Sequence, residues 1–428
     1  SFFYIMFFEN MFTNVTNVMF TNVMFTSIVD YIPLSFLDFL KHFVFILISI
    51  ENKIHYPSLG CVYGSSCRSL FHTLCDVFKQ NSKKKKHNIL VTPLHHTSFR
   101  NIIELFFRKD EITVLPMNES YNKIIVDDHI LSLDKEYDMC IVTHMFGQDL
   151  DVSELKKLSL VTKNCLFVED RVQGGVFSET YSSKLFDVSL YSSGMDKKPC
   201  ALGGGIVYSK NKDIVQQRSK KVETYRHETA LDRFIFILKK IPTYILYNCK
   251  TIIYIVIWIF KMLTLDLYGF ICYYRKKNPG FMHDRYNIRP CAATVGFINY
   301  ALKNINCIET TQKTQYRKCS QLLDNYKLRD KYIPWYDPFY NNDQLTIYNT
   351  IYARDRQQFI DFCNKKYVPV IDNPTYKLFN FDYNGKQKDR IFNDSLVYIP
   401  SLYAMPDNKI DLLVSLIQEY DRTLVKIV

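Results

Sequence analysis

FVEDRVQGG, residues 167–175, sets an apolar run directly against two carboxylates, Glu169 and Asp170, and follows them with a glutamine, Gln173. The run CLFVED (165–170) has the length of a buried strand. An acid at its end has two readings. It caps a following helix, or it stands at the carboxyl end of a sheet strand, where open α/β sheets bind ligands.

The flanking chain repeats the rhythm. NILVTP (88–93), ITVLPM (112–117), DMCIVTHMFG (138–147) and FDVSLYSS (186–193) are further short apolar runs. Helical spacing marks SSCRSLFHTLCDVF (65–78), TSFRNIIELFF (97–107) and DVSELKKLSLVT (151–162). Strands alternating with helices predict a parallel, doubly wound sheet. Polar residues close the runs: Thr92, His144, Asp170 and Ser192. GGGIV (203–207) predicts a tight turn into another strand, and 294–330 reads as helical. The tail from about 331 has short strands and the helical NKIDLLVSLIQEYD (408–421), which predicts a second, α+β domain.

Composition narrows the classes. At 428 residues the chain has room for two domains, and its 47% hydrophobic and 23% charged content is ordinary for a globular protein. The net charge is +11, and residues 218–277 carry 12 Lys/Arg against 4 Asp/Glu, which is +8 of it. That segment is strongly apolar, which argues against a nucleic-acid groove and for lipid or a partner surface. The 12 cysteines form no CxxC pair and no cluster with histidine at metal spacing, so no metal site is expected. They read as reduced thiols of a cytoplasmic protein. Residues 11–26 are a low-complexity FTNV-type repeat. The chain starts on Ser rather than Met, read as a processed or translated-through end, and its first residues lack the marks of a signal peptide.

Four signals fall in chain order. Gly64-Ser65-Ser66-Cys67 opens a helix with small residues, which suits a phosphate on free backbone N–H groups; Ser is also an ordinary helix cap. Asp170 with Gln173 suits a protonated ring nitrogen, since an ion pair favours both charged forms. SLYSSGMDKKPCALGGG (189–205) sets Ser192 five residues before Lys197, next to three glycines. A desolvated lysine there suits a Schiff base, and a solvated Lys-Lys pair is the plain alternative. DRYNIRP (284–290) sets polar groups before a helix.

Together these segments resemble the DegT-type sugar aminotransferases, pyridoxal phosphate enzymes of the aspartate aminotransferase fold type I. The residues that carry the resemblance are THMFGQDLDVSELKKLS (143–159), CLFVEDRVQGG (165–175) and FDVSLYSSGMDKKPCALGGG (186–205). The family shows H-x-F/Y-G at a strand end, then V-I-E-D-A-A-Q, then F-S-F-x-x-x-K leading to G-x-G-G. YNIRPCAATVGFINYAL and SLVYIPSLYAMP extend the match more loosely.

The resemblance implies a mixed, mostly parallel sheet with helices on both faces and a smaller C-terminal domain. It implies pyridoxal 5'-phosphate as cofactor, with Lys197 as the Schiff-base lysine and Lys198 as the alternative. Asp170 would pair with the ring nitrogen and Gln173 would lie near the ring's phenolic oxygen. Ser66, Cys67 and Ser192 would hold the phosphate. His96, or His95, would stack on the ring. Asn287 would reach the phosphate of a neighbouring subunit, which implies a homodimer. Glu169 receives no chemical role. The implied reaction moves an amino group, from glutamate, to a keto sugar on a nucleotide. The alternative is a catalytically altered or non-catalytic relative attached to a membrane or partner. It draws on departures from the pattern: SSC replaces the usual SGT, and Gly204 stands where the family often has an acid. A dehydratase of this fold would be expected to replace the lysine.

These readings divide the chain into a low-complexity segment (1–32), a helical segment (33–60), a large cofactor domain (61–230) and a hydrophobic basic helical insert (231–280). The end of the large domain (281–330) and a small domain (331–428) follow. Within the insert, residues 241–260 hold twenty positions with only Lys250 charged, marginal for a membrane span. Three readings stand: attachment of 231–277 to a membrane surface, packing on a partner or the dimer, and spanning.

Overall fold

The computed structural model describes residues 36–48, 60–117, 124–125, 136–144, 150, 152–161, 165–173, 185–194, 197, 200–248, most of 255–265, 286–303, 321, 349–352, 355–365, 376–378, 396–399 and 407–425. The segment 1–32 with its repeat, Lys198, the basic 275–277, and most of 304–348 lie outside these.

Helix α1 (Phe36–Ile48) precedes strand β1 (Cys61–Gly64) and helix α2 (Cys67–Asn81). Strands β2 (Ile89–Val91) and β3 (Leu94–His96) lead into α3 (Thr97–Phe106) and β4 (Ile112–Val114). Then come β5 (Met139–Thr143), α4 (Val152–Val161), β6 (Leu166–Asp170), β7 (Val188–Ser192) and β8 (Gly205–Tyr208). Helix α5 (Lys212–Glu223), the short β9 (Arg226–His227), α6 (Ala230–Asn248), β10 (Ile288–Arg289) and α7 (Ala292–Lys303) complete this part. The tail holds β11 (Asn349–Tyr352), α8 (Arg356–Lys365), β12 (Tyr376–Leu378), β13 (Leu396–Ile399) and α9 (Asp407–Val425).

The main sheet has seven strands in the order β1-β8-β7-β6-β5-β2-β4. Its pairs are parallel from β7 to β4, and β8 runs antiparallel to both its neighbours. The expected mixed, mostly parallel sheet is therefore present. Helices cover both faces because side chains alternate along each strand. Val62, Ile89, Val91, Met139, Ile141, Val168, Val188, Leu190 and Val207 pack on one face with Leu70, Phe71 and Leu74 of α2 and Phe99, Ile102 and Ile103 of α3. On the other face, Leu90, Cys140, Val142 and Phe167 pack with Leu155 and Leu158 of α4. Beyond them Cys61, Tyr63, Tyr191 and Ile206 pack with α1, α6 and α7.

Several elements escape local patterning. Leu94–His96 pairs antiparallel with Tyr376–Leu378, so a tail strand returns to the loop after β2. β11 pairs with β13, and Tyr420 of α9 packs on Phe359 and Phe362 of α8. In the insert, α6 runs unbroken through Pro242. Its inner residues Arg233, Ile237 and Tyr244 are buried. Of the helix expected over 294–330, α7 accounts for the first part, and most of the remainder lies outside the described residues.

Candidate active site at the strand ends

Five chain segments meet at the carboxyl end of the parallel strands. Parallel register sets Thr143, the last residue of β5, beside Asp170, the last residue of β6. Thr143 shares its face with Met139 and Ile141, and Asp170 shares the same face with Val168. Ser192 ends β7 on that face after Val188 and Leu190. All three therefore look toward the helices α2 and α3.

The N-terminus of α2 sits against this group. Ser66 caps the helix, and its hydroxyl accepts from the Ser69 N–H at 3.1 Å. The first N–H groups of a helix have no carbonyl four residues back to bond. Gly204 N–H donates to the Ser65 carbonyl at 3.0 Å, so the glycine turn closes on the start of the helix. Glycine is required at 205: a Cβ there would lie 2.5 Å from the Cys67 nitrogen and 2.7 Å from its Cα. Gly204 (φ +89°) and Gly203 (φ +140°) supply the backbone angles of the turn.

Asp170 is 4% exposed. Its Oδ1 accepts from the Val172 N–H at 3.0 Å, and the Thr143 hydroxyl donates to Oδ2 at 3.4 Å. Burial pushes its pKa up to about 6, against the pull of the Val172 amide, His144, Thr143 and the Lys197 ammonium. Lys197 lies in the turn after β7, where its N–H donates to the Gly194 carbonyl at 3.2 Å. Its charge acts on both Asp170 and Cys67. The Cys67 thiol is fully buried and pushed well up, by burial and then by Asp170.

Each site residue singled out in the sequence except Lys198 has a place. Thr143 bonds Asp170, and the charges of Asp170 and Lys197 both act on Cys67. Gln173 is buried three residues past Asp170. The Ser192 hydroxyl accepts from the Gly194 N–H at 3.3 Å. His96 caps α3, with Nδ1 accepting from the Ser98 N–H at 3.2 Å. His95 is the histidine tied to Asp170: its Nδ1 lies 2.8 Å from the Thr143 hydroxyl, and its Nε2 lies 3.3 Å from the Thr92 hydroxyl. Burial holds the His95 pKa down to about 3, so the ring is neutral. Asn287 leads into β10, and its buried Oδ1 has no hydrogen-bond partner among the described residues. The preceding Tyr286 packs on α2 of the same chain, its carbonyl accepting from the Ser69 hydroxyl and its ring stacking on His72.

Glu169, to which the sequence reading gave no chemical role, holds a buried network of its own. It points to the opposite face from Asp170 and is completely buried. Its Oε1 lies 3.0 Å from His144 Nε2 and 3.1 Å from the Arg171 guanidinium, and its Oε2 accepts from the Ser189 hydroxyl at 2.7 Å. The Leu150 N–H donates to His144 Nδ1, which leaves Nε2 to carry hydrogen toward Glu169. Burial alone would raise the Glu169 pKa, but His144, Arg171 and Ser189 hold it below the usual range. His144 thus bonds Glu169 and acts electrostatically on both acids. The alternation of faces along β6 could have separated Glu169 from Asp170 in sequence. Its partners, from other segments, could not be read.

The insert also reaches the site. Arg233 of α6 is 3% exposed and donates to the Ala201 carbonyl at 2.9 Å, in the turn between Lys197 and Gly205. Among the described residues, no group of His, Cys, Asp or Glu is arranged to hold a metal ion.

Neither a family model nor a curated protein sequence matches the chain. Solved structures do match it. Sugar aminotransferase CalS13 from Micromonospora echinospora superposes with a TM-score of 0.60 over 91% of this chain and 98% of that one, at 14% identity. PseC of Helicobacter pylori, an aminotransferase involved in the biosynthesis of pseudoaminic acid, gives 0.58 over 88% and 95%, at 12% identity. A DegT DnrJ EryC1 StrS aminotransferase from Brucella abortus gives 0.56 over 84% and 85%, at 10% identity. The chain shares the fold of these enzymes across most of its length.

Proposed function

We infer that this chain is a DegT-type sugar aminotransferase that uses pyridoxal 5'-phosphate. The observation that carries the reading is Asp170: a buried acid at a strand end, aligned with Thr143, within reach of the Lys197 charge, beside the N-terminus of α2. The likeness to solved sugar aminotransferases supports it.

The residues fit the cofactor. The two hydrogen bonds to Asp170 come from an amide and a hydroxyl, and burial lifts its pKa to about 6. A protonated ring nitrogen would supply a positive partner. Gly204 and Gly205 close on Ser65 and Cys67 at the start of α2, whose first N–H groups suit a phosphate.

Pyridoxal 5'-phosphate, when bound, supplies an electron sink for the carbon that exchanges its amino group. The chain does the rest. The N-terminus of α2 at Ser66 and Cys67, with the Ser192 hydroxyl, holds the phosphate. Asp170 holds positive charge at the ring nitrogen. Gln173 donates to the ring hydroxyl oxygen. Lys197 provides the amine and moves the proton at its Nζ. Asn287 serves the phosphate of a neighbouring subunit in a homodimer through its side-chain amide N–H groups. The amino donor is glutamate and the acceptor a nucleotide-linked keto sugar. The free thiols of all eight described cysteines support a reducing, cytoplasmic setting.

The test is an absorption spectrum with added pyridoxal 5'-phosphate. A visible band in the wild type that Lys197→Ala lacks is expected, followed by amino transfer from glutamate. A wild-type chain that takes up no cofactor overturns the reading.

A further inference from the structure

Four buried polar side chains, Thr92, His95, Thr143 and Asp170, stand in one line at the strand ends. The Thr143 N–H donates to the Thr92 hydroxyl oxygen at 3.1 Å, and that hydroxyl lies 3.3 Å from His95 Nε2. Across the ring, His95 Nδ1 lies 2.8 Å from the Thr143 hydroxyl, which reaches Asp170 Oδ2 at 3.4 Å. The ring is held in place from outside the sheet as well, because the backbone at His95 pairs with Lys377 of β12.

Counting hydrogens gives the line a direction. A hydroxyl has one hydrogen to donate, and a neutral imidazole has one N–H and one acceptor nitrogen. If Thr143 gives its hydrogen to an ionised Asp170, its oxygen accepts from His95, so the ring hydrogen sits on Nδ1. Nε2 is then the acceptor, and the Thr92 hydroxyl donates to it. Every hydrogen in the line points toward the acid, and bonds aligned in this way strengthen one another. The neutral ring is built in: burial holds its pKa down to about 3 against the Thr92 backbone, and Arg100 of α3 adds to the burial. The neighbouring His96 is engaged in capping α3. The other groups acting on Asp170 are His144 just past β5, Lys197 after β7 and the Cys67 thiol at the start of α2.

We propose that His95 is a positioning residue for Asp170: with its hydrogen on Nδ1 it turns the Thr143 hydroxyl toward the acid and keeps the acid an ionised acceptor for the cofactor's ring nitrogen. The use made of Asp170 rests on the function proposed above, but the line of hydrogen bonds belongs to the chain alone. The same line reverses when Asp170 takes up a proton from solvent. The acid then donates to the Thr143 oxygen, Thr143 donates to Nδ1, and the ring hydrogen stands on Nε2, facing Thr92. The ring stays neutral throughout and only its tautomer changes. His95 therefore reports the charge of Asp170.

Nitrogen NMR of labelled histidine in the full chain without cofactor tests this. Leu94–His95 is the only Leu–His step in the sequence, so labelling leucine carbonyls together with histidine identifies His95 without a variant. Above the Asp170 titration, which lies near 6, Nδ1 should carry the hydrogen. As pH falls through that value the hydrogen should pass to Nε2, with the ring still neutral. Asp170→Asn and Thr143→Val should each abolish this pH-dependent exchange. Added pyridoxal 5'-phosphate should hold the Nδ1 form to lower pH, because a positive ring nitrogen favours the ionised acid. A ring with its hydrogen on Nε2 at every pH, or an exchange that survives in Asp170→Asn, overturns the proposal. So does bound cofactor that leaves the exchange where it was. A wild type that takes up no cofactor sinks the proposed activity instead, and the tautomer measured without cofactor still decides the role of His95.

Discussion

Arg233 of the insert helix holds the Ala201 carbonyl at 2.9 Å, four residues after Lys197. The segment 231–248 is therefore not an appendage to the fold. Gly203 lies on the same guanidinium, and a Cβ there would sit 3.3 Å from its Nη1. We predict that Arg233→Met leaves overall stability within about 1–2 kcal/mol, since loss of a buried charge offsets loss of its hydrogen bond. The amides of Ala201 and Gly203 should exchange faster, and cofactor affinity should fall about tenfold, near the value of one hydrogen bond to a charged group. Unchanged exchange at both amides would sink the idea that Arg233 braces this turn.

Glu169 gathers His144, Arg171 and Ser189 behind Asp170, and all four are buried. Glu169→Gln keeps the shape but leaves the Arg171 guanidinium without its counter-charge. Breaking a buried pair in this way should cost about 3–5 kcal/mol in a urea melt. The Glu169 pKa is depressed in the fold, so its contribution is present above the ordinary glutamate value and lost as pH falls through the folded one. The gap between wild type and variant should therefore narrow under acid. A constant gap from neutral pH to acid would count against the assignment.

Asp170 works in the opposite sense. Its folded pKa stands near 6 against an ordinary 3.8. Between those values the folded chain binds a proton that the unfolded chain releases, so stability falls as pH rises through the window. Without cofactor, Asp170→Asn should remove that fall, which amounts to up to about 3 kcal/mol. The neutral variant should be more stable than the wild type at pH 7 and should lose amino transfer. Buried His42, its pKa driven down to about 2 by burial and Arg233, loses stability as pH falls below 6.5 and partly masks the effect. The comparison of variant with wild type removes the histidine contribution. A variant with the wild-type pH dependence would refute the prediction.

Gly205 and Gly296 make a matched pair. A Cβ at Gly205 meets the backbone of Cys67 at 2.5 Å, whereas one at Gly296 meets the Phe45 ring at 3.1 Å. Backbone at the start of α2 cannot yield, so Gly205→Ala should cost about 3 kcal/mol and loosen phosphate binding. A ring can turn aside, and alanine recovers about 0.5–1 kcal/mol in a helix interior. Gly296→Ala should be close to neutral. Equal thermal melts for the two variants would contradict this account.

The sequence by itself determined the alternation of strands and helices, the polar residues that close the strands, and the order Ser66, Asp170, Gln173, Ser192, Lys197. These are local properties, carried by a period of two or of 3.6 residues and by turn chemistry. Tertiary structure alone decided which strands lie side by side. Register sets Thr143 against Asp170, and the return of 376–378 pairs it with β3 beside His95. It also decided that His95 rather than His96 joins the Asp170 network, that Glu169 is a buried hub, and that the insert grips the Lys197 turn through Arg233. Each of those contacts joins residues far apart in the chain. No local periodicity encodes which distant partner closes the loop, because that choice is made by the packing of whole faces against one another.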